Sequence, residues 1–131
     1  MSREKEQENK EFILRYYQAI SGKIKDPEIC DQFIADPKLK EHILFFDTIF
    51  PGYEIFADEI TAEGDRVTLR ASWKGIHKGP FNGIPPTFKE VEMPFAVSYT
   101  IRSGKIVDHW IIADQVILMQ QLGVMESDVE V

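Results

Sequence analysis

The chain has 131 residues, 44% apolar and 28% charged, enough for one hydrophobic core and too few for two. Its 22 acidic and 15 basic residues leave a net charge of -7, which repels phosphate backbones and anionic membrane surfaces and argues against nucleic acid or a membrane as partner. One cysteine, Cys30, rules out an internal disulfide, and neither a signal-peptide core in MSREKEQENK nor a run of membrane-span length is present, so a cytoplasmic protein is expected.

Residues 1–131 read as one domain, with 1–8 and 125–131 expected to fray. From about Asn9 to Ser21, the residues Phe12, Ile13, Tyr16, Tyr17 and Ile20 recur at helical spacing and form one apolar stripe, which Ser21-Gly22 stops. Two further helices begin at Asp26-Pro27 and Asp36-Pro37. In each, an acidic N-cap precedes a proline whose missing N–H costs nothing at the first helical position. Cys30, inside the first of these, reads as a small core residue. Phe50-Pro51-Gly52 ends the third helix.

From Tyr53 onward the period changes to that of strands. Gly64-Asp65 fits a two-residue hairpin turn that sets Ala62 opposite Val67, Ile60 opposite Leu69, Asp58 opposite Ala71 and Phe56 opposite Trp73. Val67, Leu69, Ala71 and Trp73 share one face, with His77 at the same parity. The segment from Lys78 to Phe88, rich in glycine and proline, reads as a long loop. Ser103-Gly104 fits a second tight turn, with Arg102 opposite Lys105. Counting back from it pairs Tyr99 with Asp108, Val97 with Trp110, Phe95 with Ile112 and Met93 with Asp114, all on the face carrying Val91 and Ile101.

Three helices followed by four antiparallel strands with one apolar face make an α+β fold, in which a curved sheet wraps around the N-terminal helices as a cone. A cone deeper than its side chains can fill leaves a pocket at the open end. Trp73, Phe95, Tyr99 and Trp110 are the inward aromatic residues; they read either as plain core or as a substrate-binding wall, with Tyr16 of the first helix beside them. Asp114 then ends an apolar strand face. It also precedes the apolar run Gln115-Val116-Ile117-Leu118, so it reads as a helix N-cap or as a working acid in a pocket.

Several segments together carry a resemblance. Ala62-Glu63-Gly64-Asp65-Arg66-Val67, Gly75-Ile76-His77-Lys78-Gly79, Gly83-Ile84-Pro85-Pro86-Thr87, Gly104-Lys105-Ile106-Val107-Asp108-His109-Trp110, Ala113-Asp114 and Gln121-Leu122-Gly123 resemble the SnoaL-like polyketide cyclase family, of the nuclear transport factor 2-like superfamily, from Asn9 to Val124. The resemblance implies a cone-shaped α+β fold. It also implies that Asp114 is the general acid/base of an intramolecular aldol closure that needs no metal or other cofactor. A C–H between carbonyls is already acidic, and burial near Trp110 and Phe95 would raise the carboxyl toward the working range. His77 is expected as an auxiliary at the pocket, or else as a rim histidine bonded to the loop backbone. Asp58 is a secondary inward acid, unless a bulge near Asp58-Glu59 turns it to solvent. His109 falls on the outer face and Asp108 near the turn end. The three histidines lack zinc-site spacing. The family pattern is broken at Ile111, where some relatives carry an acid after the tryptophan, and at Phe88, where relatives usually have glycine.

The outer face of the last two strands pairs Pro94, Ala96, Ser98 and Thr100 with Ala113, Ile111, His109 and Val107, too apolar and too small for a solvated surface. A homodimer through this face is expected. The resulting functional expectation is a cyclase or isomerase acting on a small hydrophobic carbonyl compound by cofactor-free acid/base catalysis. The alternative is a non-catalytic small-molecule-binding or protein-interaction module of the same fold.

Overall fold

The change from helical to two-residue periodicity at Tyr53 is the change from the helical layer to the sheet. The computed structural model describes residues 3–124. Helices α1 (Arg3–Ile20), α2 (Pro27–Phe33) and α3 (Pro37–Ile49) precede β1 (Glu54–Glu63), β2 (Arg66–Ile76), β3 (Glu90–Arg102) and β4 (Lys105–Ala113), and α4 (Gln115–Leu122) comes last. The strands form one antiparallel meander in the order β1-β2-β3-β4, with α1 laid against β1 and β2 and α4 against β3. The core lies between the helices and the concave face. There Val91, Met93, Phe95, Val97, Tyr99 and Ile101 are all buried, as the alternation of β3 predicts, and Cys30 is buried among the helices.

Both acidic caps form. Asp26 accepts the Ile29 N–H at 2.8 Å, and Asp36 Oδ1 accepts those of Lys38 and Leu39 at 2.9 and 3.4 Å. Helix α1 begins at Arg3, well before the expected start near Asn9. Residues 3–8 are helical rather than frayed, because the Glu6 carboxylate accepts the Gly64 N–H at 2.9 Å and so joins the helix start to the β1–β2 turn. The expected fraying of 125–131 lies outside the described residues. After α3, the buried Asp47 accepts the N–H of Gly52 through Oδ1 and that of Lys25 through Oδ2. The Lys25 ammonium donates to the Tyr53 carbonyl at 2.5 Å and sits over the Tyr53 ring. Burial pulls this ammonium down to about 8, against the opposing pull of Asp47.

Each hairpin obeys its predicted turn and then departs from the predicted count at a bulge. Ala62 opposes Val67 and Ile60 opposes Leu69, but the extra residue Asp58 shifts the pairs beyond it, so Ala57 opposes Ala71 and Ile55 opposes Trp73. Asp58 is therefore exposed and is no pocket residue; Ile55 takes the inward place assigned to Phe56. In the second hairpin Arg102 opposes Lys105 and Ile101 opposes Ile106. Val107 is then extra: Thr100 opposes Asp108, Tyr99 opposes His109, Ser98 opposes Trp110, Val97 opposes Ile111 and Phe95 opposes Ala113. One added residue reverses the parity of the rest of β4, because side chains alternate with period two. His109 and Ile111 turn inward, while Trp110 and Ile112 turn outward.

The loop between β2 and β3 is pinned under α3. The Gly79 N–H donates to the Ile49 carbonyl at 3.1 Å, and a Cβ at Gly79 would stand 2.0 Å from the Thr48 carbonyl oxygen, so only glycine fits. Phe88, at the position where the resemblance implies glycine, has φ 60° and is 68% exposed. The steric cost of a Cβ in this left-handed region exceeds the small packing this ring retains. Phe88→Gly is expected to stabilise the fold by about 0.5–1 kcal/mol, read as a higher urea midpoint; an unchanged or lower midpoint would show that the loop carries no such strain.

Candidate functional site

A cavity of about 320 Å³ opens between α3 and the concave sheet face. Helix α3 contributes Leu39, His42, Ile43 and Phe46 at helical spacing, and the sheet contributes Ile55, Trp73, Met93, Phe95, Val97 and Tyr99. Ile111, Ile112, Ala113 and Gln115 line it on the exposed side, with Tyr53 and Leu118 buried inside. The rings interlock: Trp73 meets Phe46 edge-on at 4.8 Å and Phe50 at 4.7 Å. Among the described residues, no lysine, arginine, aspartate or glutamate lines the cavity.

Trp73, Phe95 and Tyr99, three of the four aromatic residues expected to face inward, line the cavity. Trp110 does not: the bulge at Val107 places it opposite Ser98, 57% exposed on the outer face. Tyr16 is fully buried below the cavity floor rather than part of its wall. Its ring stands edge-on to Tyr99 at 6.0 Å, and its hydroxyl has no hydrogen-bond partner among the described residues. Tyr99 spends its hydroxyl on Tyr17, at 2.9 Å. Burial pushes the phenols of Tyr16, Tyr17, Tyr53 and Tyr99 up, so each stays protonated at neutral pH and serves as a hydrogen-bonding group.

His77 is also outside the lining. It is fully buried against Phe50, and its Nδ1 accepts the Thr87 N–H at 3.1 Å and stands 2.9 Å from Thr87 Oγ1, which closes the β2–β3 loop. The accepting Nδ1 assigns the ring proton to Nε2. Asp114 is exposed at the mouth between Ala113 and Gln115. Its Oδ1 accepts the N–H groups of Val116 and Ile117 at 3.0 and 3.1 Å, so the N-cap reading of this residue holds. Asp114 also borders a shallow outer groove with Arg70, Pro94, Ala96, Ile112 and Val116.

Two histidines gain a place that strand counting does not reveal. His109, expected on the outer face, turns inward, and its Nδ1 stands 2.7 Å from Asp36 Oδ2. Burial raises Asp36, but the bond to His109 and the N–H groups of Lys38 and Leu39 outweigh it and hold this carboxyl below the usual range. His42 lies on the cavity wall and is also exposed, which puts it at the mouth, its ring stacked on Phe46 at 5.7 Å and 22°. Desolvation and the nearby His109 lower its pKa. Its helical phase with Leu39, Ile43 and Phe46 is the signal the sequence offers. Among the described residues no three His, Cys, Asp or Glu side chains converge as a metal-ligating group, and no helix is long and apolar enough to cross a membrane.

The family model for SnoaL-like polyketide cyclase matches residues 37–122. Among solved structures, AclR from Streptomyces galilaeus, a proposed hydroxylase, shares 24% identity over 93% of this chain and 85% of its own, with a TM-score of 0.79. A proposed polyketide cyclase from Acidithiobacillus ferrooxidans shares 25% identity over 94% of this chain and 98% of its own, at 0.77. IdmH from Streptomyces antibioticus, a proposed polyketide cyclase, shares 27% over 88% and 99%, at 0.70. No curated protein matches the sequence. The neighbours share the cone of helices and curled antiparallel sheet.

The Asp36–His109 pair gives a pH dependence of defined sign. The folded pKa of Asp36 lies below that of an unfolded aspartate, so the stabilisation is complete above about pH 4 and is lost as pH falls through the lowered value. Urea midpoints of the wild type should therefore drop on acidification, and those of His109→Phe should drop less steeply; equal slopes would mean that the pair contributes nothing.

Proposed function

Because this chain belongs to the SnoaL-like polyketide cyclase family, we propose that it is a cofactor-free cyclase or isomerase acting by general acid/base catalysis on a small, neutral, hydrophobic carbonyl compound held in the cavity. The observation that carries this reading is the lining: five aromatic rings with an imidazole and a carboxamide, and no fixed charge among the described residues. A charged ligand would lose its hydration there without a counter-charge, whereas a neutral carbonyl compound loses little and gains apolar burial. Asp114 enters the proposal as an acid/base group that relays protons between the mouth and water. Oδ1 is spent on the α4 cap, and Oδ2 has no hydrogen-bond partner among the described residues.

A test needs no knowledge of the natural substrate. The neutral fluorescent ketone 6-propionyl-2-dimethylaminonaphthalene should bind with a blue-shifted emission, and Trp73→Ala should weaken it by about tenfold, whereas 2-naphthoate should bind at least about tenfold more weakly than the ketone. Preference for the anion, or binding of neither, would overturn the reading. The engagement and exposure of Asp114 favour a second reading, a non-catalytic binding module with the same cavity. It would be supported by ketone binding without any turnover of carbonyl compounds.

We also propose that a second copy of the chain covers the outer sheet face. Trp110 and Ile112 are 57% and 58% exposed and Val116 is 49% exposed; Ile112 opposes Ala96 and shares an outer groove with Pro94 and Val116, and Trp110 opposes Ser98 on the same face. A monomer seldom leaves so contiguous an apolar patch in water. Sedimentation should show a dimer for the wild type and a folded monomer for Trp110→Lys; a monomeric wild type would refute the assignment.

A further inference from the structure

Each histidine of this chain meets a different fate, and only one has both ring nitrogens without a hydrogen-bond partner among the described residues. His77 Nδ1 is engaged with Thr87, and His109 Nδ1 with Asp36. His42 makes no hydrogen bond or ion pair among the described residues, yet its ring is held in place by the stack on Phe46 and lines the cavity at its open end. We infer that His42 is a catalytic residue, the base that takes the C–H proton next to the carbonyl of a bound ligand. The inference rests on the reading of the cavity as a site for neutral carbonyl compounds and deepens it.

The chemistry fits the surroundings. A base must be neutral to accept a proton, and loss of hydration, with the neighbouring His109 as a smaller cause, keeps His42 below the usual histidine range. Among the described residues no carboxylate lines the cavity and its tyrosines are protonated, so of the described lining side chains the imidazole is the one able to accept a proton at neutral pH. In the step itself, the C–H bond breaks, its proton goes to a ring nitrogen of His42, and its electron pair passes into the new C=C bond as the carbonyl becomes an enolate. Gln115, Tyr53 and Trp73, whose side chains carry hydrogen-bond donors, line the same cavity, and none of these side chains is spent on another bond among the described residues, so they are the candidates to donate to the enolate oxygen. The imidazolium then returns the proton to carbon at another position, which completes an isomerisation. Alternatively, the enolate carbon attacks a second carbonyl and the proton neutralises the alkoxide, which completes an aldol closure. Mouth exposure also lets the ring exchange its proton with water between turnovers.

The probe is 2-tetralone, a neutral bicyclic ketone, mixed with the full chain in buffered D2O. Deuterium uptake next to its carbonyl is followed by proton NMR, and binding by tryptophan fluorescence. Two variants are paired: His42→Gln keeps a helix-forming polar side chain, and His42→Phe keeps an aromatic ring on Phe46 without a base. Thermal melts identify the variants that fold, and either folded variant suffices. The wild type should accelerate uptake, and the variants should lose it by about a hundredfold while their affinity for 2-tetralone stays within about threefold. Wild-type acceleration retained in the variants would overturn the role of His42 alone. Binding by the wild type without acceleration would overturn it too and leave the cavity reading standing as a binding site. Failure of the wild type to bind 2-tetralone would remove the cavity reading and the role of His42 with it.

Discussion

The Asp36 carboxylate holds the two walls of the cavity together. One oxygen caps α3, and the other receives His109 from β4 at 2.7 Å, while the Asp36 N–H donates to the Ile106 carbonyl on the same strand. Helix α3 supplies Leu39, His42, Ile43 and Phe46 to the cavity, and β4 supplies Ile111 and Ala113. A helix and an edge strand far apart in sequence are thus tied by one side chain at the start of the helix. Without that bond, burial of a carboxylate and an imidazole would be a cost with no return.

A second constraint acts through the first. His109 can reach Asp36 only because Val107 is an extra residue in β4, which reverses the direction of every side chain beyond it. The same reversal places Trp110 and Ile112 on the outer face and Ile111 in the cavity. One bulge therefore decides two things at once: the tie between helix and strand, and the apolarity of the exposed sheet. Asp58 is an analogous case, since its bulge moves a carboxylate to solvent and Ile55 to the interior.

The cavity that results is apolar, aromatic and free of fixed charge, and its charged neighbours are neutralised in place. Lys25 and Asp47 lie behind Tyr53 as a buried pair that orders the α3–β1 connection. Asp114 is turned to the N-terminus of α4. In a medium of low polarity, an imidazole and a carboxamide cost less to leave unpaired than full charges would.

Much of this architecture is legible in the chain itself. Asp-Pro pairs mark where α2 and α3 begin, alternation in β3 identifies six buried side chains, and each two-residue turn sets the first pairs of its hairpin, because these are local rules acting over a few bonds. The site is less legible. Trp73, Phe95 and Tyr99 fall on the wall as counted because they lie on strands or strand segments without an intervening bulge. Trp110, His109 and Asp58 are misplaced by counting because a bulge leaves no mark in the hydrophobic pattern and its effect propagates to the strand end. His42 escapes a reading of the strands because its helix presents it to a sheet that only assembles later in the chain. The sequence by itself determined the elements, their order and the cone that closes them, since each follows from local backbone preference and a period of burial. Tertiary structure alone decided which side chains share the cavity, because that depends on single-residue shifts in register and on a helix meeting a strand far along the chain, where no local preference reaches.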